Sequence, residues 1–179
     1  MVTENRFDEL VLPHLDAAYN LARWLARDAH DAEDIVQDAC VRGLRYVGSL
    51  DGRGGKAWFL TIVRHAFYDW CQRNRPAEIA RDDGSAIDGA VDEASLSPEQ
   101  MALCRAESRL LAEAIAELPL AFREVLILRE LEELSYKEIA RVVDIPVGTV
   151  MSRLARARNL LQGSPRLREM REERLGVRP

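Results

Sequence analysis

The residue patterns that could support catalysis are each incomplete. His30 and Asp31 form a pair that could bind a metal ion, but no helix presents the remaining ligands together with them. A phosphate-binding loop would need glycine at position 50 and serine or threonine after Lys56, whereas the chain has Leu50 and Ala57. No serine or cysteine nucleophile has a recognisable base as its partner. The sequence therefore predicts a binding protein rather than an enzyme, with no cofactor and no metal.

A pattern near the C-terminus is typical of a helix-turn-helix. Its apolar residues have the spacing of two short helices packed on one another: Ile139, Ala140, Val143, Ile145, Val150 and Leu154. Ser135 and Glu138 form a capping box that starts the first helix. Asp144 stands in the turn, and aspartate is one of the few residues besides glycine that tolerate a positive φ. The second helix is predicted from about Val147 to Leu161.

The polar face of this second helix suits the recognition of DNA. Short polar groups and arginines can reach base edges and phosphates in a major groove. The residues of this type are Thr149, Ser152, Arg156 and Asn159, with Arg153 at the edge. A helical hairpin with a solvated basic face would carry the same residues, so the pattern alone leaves both interpretations open.

Most of the aromatic residues fall in a helix predicted from about Lys56 to Arg73. Its expected buried face consists of Phe59, Val63, Ala66 and Trp70. The other face consists of Trp58, Thr61, His65, Tyr68 and Gln72, flanked by Arg64, Arg73 and Arg75. Aromatic side chains beside arginines bind unstacked bases by stacking and charge. The alternative is that Trp58 and Tyr68 pack against another helix of the same domain.

A third surface lies on a helix predicted from His30 or Asp31 to about Gly48. Its inward residues are expected to be Val36, Cys40, Leu44 and Val47. The outer stripe consists of Asp34, Gln37, Asp38, Val41 and Arg45. Carboxylates and an amide around an exposed valine suit a surface that binds a protein partner. A solvated face with one incidental valine is the alternative.

The remaining elements are also helical, so we predict an all-α fold of two small domains. One helix is expected from about Phe7 to Ala26, another from Ser97 to Glu117, and a third from Pro119 to about Glu133. Between the two domains, residues 77–107 hold 2 basic and 8 acidic residues, a local net charge of −6 in a chain whose total is −5. This segment predicts a flexible acidic linker.

Other features of the sequence favour a cytoplasmic protein. The 3 cysteines are far apart, so neither a disulfide framework nor a thiolate zinc site is expected. No apolar run approaches the roughly 18 residues of a membrane span. We therefore expect no membrane insertion and no small-molecule substrate.

Four segments together resemble the extracytoplasmic-function (ECF) sigma factors of bacterial RNA polymerase. They are DAEDIVQD at 31–38, KAWFLTIVR at 56–64, LSYKEIA at 134–140 and IPVGTV at 145–150. The resemblance implies a sigma domain 2 over residues 1–76, a linker over 77–106, a helix-turn-helix sigma domain 4 over 107–163 and a tail over 164–179. It also implies a protein that binds core polymerase, directs it to promoters and assists promoter melting.

The resemblance assigns a role to each surface. The outer stripe Asp34, Gln37, Asp38, Val41 and Arg45 would dock on the clamp helices of the polymerase β′ subunit. The implied residues for the downstream promoter element are Arg53, Lys56, Trp58, Thr61, Arg64, His65, Tyr68, Arg73 and Arg75. Those for the duplex upstream element are Tyr136, Lys137, Thr149, Ser152, Arg153, Arg156 and Asn159. The β flap of polymerase and an anti-sigma factor are the further partners that the family implies.

One function from another class competes with this assignment. A helix-turn-helix regulator could use its N-terminal domain to bind a ligand or a protein other than polymerase. Such a regulator would bind duplex operator DNA by itself, whereas a sigma factor would bind core polymerase.

Overall fold

The computed structural model describes residues 2–50, 54–74 and 97–168, and every regular element in these residues is a helix. The α-helices are α1 Val2–Leu10, α2 Leu15–Ala26, α3 Ala29–Tyr46, α4 Gly55–Asn74, α5 Pro98–Ala116, α6 Leu120–Glu130, α7 Tyr136–Val143 and α8 Val147–Gly163. Short 3-10 helices cover Leu12–His14 and Val47–Ser49. The predicted all-α fold is confirmed. Most of the predicted linker, together with Arg53, Arg75 and the tail beyond residue 168, lies outside the described residues.

The first predicted helix is divided in two, so the single helix from Phe7 to Ala26 was wrong. Pro13 occupies the first turn of the 3-10 helix that separates α1 from α2. Proline lacks a backbone N–H and clashes with the preceding turn, so it ends a continuous helix there. Phe7 and Val11 nevertheless reach the core, because the break folds α1 back against the helices that follow.

Helix α3 packs mostly through small residues. The Asp28 side chain caps α3 by accepting a hydrogen bond from the Asp31 N–H at 2.9 Å. The buried stripe is Ala32, Ile35, Ala39 and Gly43. A Cβ atom at Gly43 would lie 3.1 Å from the Phe7 ring, so glycine allows α1 to approach α3 this closely without displacing that ring. The prediction that Leu44 points inward was wrong, since 42% of its surface is exposed.

The helix-turn-helix has the predicted local geometry. Ser135 and Glu138 form both hydrogen bonds of the capping box at the start of α7. Asp144 ends α7 at φ 55 and ψ 53, in the left-handed region. Helix α8 buries Val150, Leu154 and Ala157. Helix α6 ends at Glu130, three residues before the predicted limit, and Glu133 in the following turn also has a positive φ, of 55.

The two halves of the chain pack against each other in this structure. Helix α2 contacts α6, and α4 contacts α7. The buried apolar residues on either side form one continuous cluster that runs from Phe7 to Ala157. The face of α4 that the sequence assigns to single-stranded DNA therefore lies next to the helix-turn-helix.

The start of the predicted tail folds back on α5. The Arg166 side chain pairs with Glu113 and Glu117 of that helix, with 2.9 Å between Arg166 Nε and Glu117 Oε1. Leu167 is buried. Helix α5 itself begins at Pro98, inside the range predicted for the linker, as expected for a proline in the first turn of a helix.

Candidate nucleic-acid interface

Two positive groups of α4, Lys56 and Arg64, face carboxylates from the C-terminal half. Arg64 Nε donates to Glu124 Oε1 of α6 at 2.6 Å, and the Glu124 side chain is only 1% exposed. Burial raises the pKa of Glu124, and the neighbouring Arg64 guanidinium opposes that rise. Because an unpaired buried carboxylate is costly, this ion pair stabilises Glu124 in its buried position.

A second ion pair lies at the N-terminal end of α4. Lys56 Nζ is 3.0 Å from Glu132 Oε2 and also donates to the Glu132 backbone carbonyl at 2.9 Å. The Glu132 side chain is 3% exposed, whereas that of Lys56 is 32% exposed. Sequence reasoning did not identify Glu124 or Glu132 as functional residues. Glu124 directly precedes the buried apolar run 125–128, and a carboxylate at the start of such a run was the available signal.

The aromatic residues of this face are partly buried. Trp58 and Tyr68 both pack against the apolar core while remaining partly accessible. The Arg64 guanidinium lies 4.7 Å from the centre of the Tyr68 ring, and burial is the main cause that raises the pKa of Tyr68. His65 is exposed, and Thr61 donates to the carbonyl of Ala57 within its own helix at 2.8 Å. Trp70 was expected to be buried, but it is only half-buried.

The C-terminal end of α4 is joined to α3 by an ion-pair network. Arg42 pairs with Asp38 at 2.7 Å and with Asp69 at 2.5 Å. Arg73 reaches the same Asp38 carboxylate at 3.3 Å. Two of the residues predicted to bind polymerase or DNA, Asp38 and Arg73, therefore also hold the N-terminal domain together.

The rest of the outer stripe of α3 is accessible. Asp34, Gln37, Val41 and Arg45 are exposed, with Val41 at 49%. Asp34 forms no ion pair within the part of the chain that the structure describes. Helix α3 packs against α1, α2 and α4, so the packing of the C-terminal half on α4 leaves this stripe uncovered.

The polar face of α8 divides into an accessible part and a shielded part. Ser152, Arg156 and Asn159 are exposed, whereas Thr149 and Arg153 are half-buried. The charge of Arg153, like that of Arg64, opposes the rise that burial causes in the pKa of Glu124. Lys137 is exposed at the start of α7, and the Arg129 guanidinium lies 5.1 Å from the centre of the half-buried Tyr136 ring. The structure thus presents three groups of α8 together with Lys137 to solvent.

An open cleft of about 500 Å³ lies at the turn between α7 and α8. Its basic groups are Lys137 and Arg141, one helical turn apart on α7, and its floor includes Ile145 and Val147. Arg141 was not among the DNA-binding residues predicted from the sequence. The signal that could have found it is its position four residues after Lys137, which places both cations on one face of α7.

Helix α6, which packs on α2, contains a buried arginine. Arg123 is 6% exposed, and its side chain donates to the Ala116 carbonyl at 2.6 Å. Burial and then the charge of Arg27 lower the pKa of Arg123 to about 10.

The residues described by the structure contain no group of three or more potential metal ligands. Within the same residues, no helix combines the length and apolar character that crossing a bilayer requires.

Comparison with protein families explains why these surfaces occur together. The model for sigma-70 region 2 matches residues 10–76, and the model for sigma-70 region 4 matches residues 108–161. The ECF RNA polymerase sigma-E factor of Escherichia coli is 36% identical over 143 residues, which cover 73% of this chain and 72% of the relative. The chain belongs to the ECF sigma factors. It directs RNA polymerase to promoters, and it is not an enzyme.

Other sigma factors align along nearly the whole chain. The ECF RNA polymerase sigma factor SigW of Bacillus subtilis is 29% identical over 165 residues, which cover 89% of this chain and 88% of the relative. Among solved structures, the sigma factor RpoE of Bartonella quintana, in complex with the anti-sigma factor NepR, matches with a TM-score of 0.68 and 30% identity. That match covers 88% of this chain and 94% of the other. The ECF assignment from the four sequence segments is confirmed.

Proposed function

We propose that this sigma factor uses three separate faces during transcription initiation. The face of α8 reads the duplex upstream element, the face of α4 binds the opened downstream strand, and the outer stripe of α3 docks on the clamp helices of the β′ subunit. The observation that carries this proposal is the arrangement of α8, which buries Val150, Leu154 and Ala157 and turns Ser152 and Arg156 to solvent. A recognition helix needs this division, because its apolar side must be held while its polar side enters the groove.

The proposal for α4 rests on the types of residue on its covered face. Lys56 and Arg64 supply positive charge, and Trp58 and Tyr68 supply rings that bases can stack on. Thr61, His65 and Arg73 complete the described part of this face, and Arg53 and Arg75, outside the described residues, extend the proposal at both ends.

The further partners and the location follow from the family. We assign residues 1–76 and 107–163 to the two sigma domains, with the β flap of polymerase as an additional contact of the second. An anti-sigma factor is proposed because the Bartonella quintana relative was solved with one. Polymerase and promoter DNA are reached in the cytoplasm, so we place the protein there.

Two arginines of α8 provide a matched experiment. Arg156 is exposed on the proposed reading face, whereas Arg158 is bound to Glu130 of α6, with 2.6 Å between Arg158 Nη2 and Glu130 Oε1. Transcription by core polymerase with each full-length variant would be measured on promoters selected with the wild-type chain. If Arg156 contacts a base, Arg156→Ala should weaken promoter binding by the holoenzyme by about 1–3 kcal/mol and lower transcription accordingly. If Arg156 contacts a phosphate, the substitution should reduce the slope of promoter affinity against salt concentration by about one.

Arg158→Ala is the control for the loss of an arginine from the same helix. It should leave promoter choice and the salt dependence close to those of the wild type. Equal effects of the two substitutions would contradict the assignment of the reading face.

A further inference from the structure

The accessible side of α8 carries two large apolar side chains besides its polar groups. Met151 is 53% exposed, and Val147, one helical turn earlier, is 37% exposed. We call Val147 and Met151 the apolar pair. An exposed apolar side chain contributes little to folding, because it is not removed from water. What the apolar pair can contact therefore depends on where it lies relative to the proposed reading face.

The angular position of Met151 places it on that face. Successive residues of a helix are about 100° apart, so Met151 lies about midway between Val150 on the buried side and Ser152 on the accessible side. Thr149 and Arg153, on the opposite edge of the helix, are half-buried. The accessible surface of α8 is therefore shifted away from these two residues and toward Met151.

The groups around the apolar pair suit a polyanion. The 17 residues of α8 include no aspartate or glutamate, in a chain that has 30 acidic residues. Arg156 is exposed on the same helix, and Lys137 and Arg141 form the basic wall of the cleft that Val147 also lines. Asp144 lines this cleft from the turn, so its positive side is the side of α7. These cations can hold phosphates while α8 faces the bases.

Thymine presents the apolar group that a major groove offers to such a pair. The edges of the other bases present hydrogen-bond donors and acceptors, whereas thymine adds a 5-methyl group that apolar side chains contact. Methionine has no hydrogen-bond donor, so Met151 cannot bind a phosphate. Its unbranched, polarisable side chain adapts well to an apolar neighbour. Met151 is therefore suited to distinguish bases by apolar contact.

We propose that Met151 recognises a thymine of the upstream element through the 5-methyl group of that base, with Val147 extending the apolar contact. This inference rests on the proposed function of α8, and it names one base and one chemical group that the reading face selects. Burial of one methyl group in this contact corresponds to about a fourfold change in affinity.

The methyl group can be removed from the DNA without changing the hydrogen-bonding groups of the base. Promoters selected with the wild-type chain and core polymerase are synthesised with each upstream thymine, on either strand, replaced in turn by uracil. The affinity of the holoenzyme is measured by competition with the unmodified promoter. We expect at least one position at which uracil weakens binding about fourfold. A selected upstream element without any A·T pair would contradict the inference.

Variants at position 151 assign this effect to the methionine. Met151→Ala should bind the thymine and uracil promoters equally at that position, whereas Met151→Leu should still prefer thymine. The matched control is Leu160→Ala, because Leu160 is also exposed, at 47%, but lies about 14 Å further along α8 and about 180° around its axis. Leu160→Ala should keep the fourfold preference of the wild type. Thermal melts of the full-length variants should match that of the wild type, since neither side chain is buried.

The deciding quantity is the dependence of the uracil effect on residue 151, because uracil also alters base stacking in the DNA. An equal uracil effect in the wild type and in Met151→Ala at every position would overturn the inference, as would the absence of any uracil effect. If Arg156→Ala still weakened promoter binding in that case, the proposed reading role of α8 would stand without a role for Met151. Unchanged affinity of the wild-type holoenzyme for promoters with a scrambled upstream element would contradict the reading role itself, and the inference with it.

Discussion

Charge reversal on α3 separates docking from folding, because two neighbouring carboxylates of the outer stripe have different partners. Asp38 is bound to Arg42 and Arg73 in the network that joins α3 to α4. Asp34 is exposed, one helical turn earlier on the same face. Asp34→Lys should therefore test the polymerase surface by itself, whereas Asp38→Lys should also weaken the domain.

The expected loss of stability in each variant follows from how exposed the substituted side chain and its ion-pair partners are. The Asp38 and Arg42 side chains are 32% and 28% exposed, and ion pairs of this kind are worth about 0.2–1 kcal/mol each. Loss of two such pairs, with a new lysine beside two arginines, should cost Asp38→Lys about 1–2 kcal/mol. In a chain of this size that lowers Tm by about 2–8 °C. Asp34→Lys should change stability by less than about 0.5 kcal/mol.

The affinity for core polymerase should change strongly in Asp34→Lys, although the stability of that variant should not. A lysine at position 34 places a positive charge in the proposed interface, and like-charge contacts there cost several kcal/mol. We expect the Kd for core polymerase to rise about tenfold or more for Asp34→Lys. The assay is a titration of labelled full-length chain with core polymerase, together with a thermal melt of each variant.

The control for net charge is Asp8→Lys, an exposed residue of α1 in the same domain. It should bind core as the wild type does. If Asp34→Lys melted normally and bound core with unchanged affinity, the outer stripe of α3 would not be the docking face.

Two further predictions concern the capping box and the aromatic face. Ser135→Ala should destabilise the protein by about 1 kcal/mol in chemical denaturation, because it removes a side-chain cap. Hydrogen bonds from the Ser135 hydroxyl and backbone N–H hold the pKa of Glu138 below its ordinary value of 4.5, so this stabilisation is complete above that value and is lost as the pH falls through the lowered pKa. Glu138→Gln should therefore lose less stability on acidification than the wild type, and an identical pH profile would contradict the capping role. Trp58→Ala should impair transcription more on duplex templates than on a pre-melted bubble, and loss of stacking should cost about 1–3 kcal/mol per base. Equal defects on both templates would instead indicate capture of the opened strand or a folding defect.

Features determined by neighbouring residues could be predicted from the sequence. The capping box, the left-handed turn at Asp144 and the apolar side of α8 depend on residues within one or two turns of each other. The limits of α4 were also predicted closely, since the helix was expected from about Lys56 to Arg73 and covers Gly55–Asn74.

Features determined by distant contacts could not be predicted. The buried stripe of α3 uses alanine and Gly43, and a pattern based on large apolar residues selected Leu44 instead. The pairing of Arg64 with Glu124 joins residues 60 positions apart, and nothing in local periodicity indicates it. Thus Arg64 was expected to flank the aromatic face of its helix, and its pairing with a carboxylate of α6 was not predicted.

Transcription in vitro tests the central claim most directly. Core polymerase would be given a library of genomic DNA fragments with and without the full-length chain, and the initiation sites would be mapped. We predict that added chain produces initiation at a defined set of promoters that share an upstream and a downstream element at fixed spacing, while the free chain binds the same duplexes weakly at physiological salt. Tight, selective binding of duplex DNA by the free chain, with no new initiation when core is present, would contradict the claim and favour a helix-turn-helix regulator.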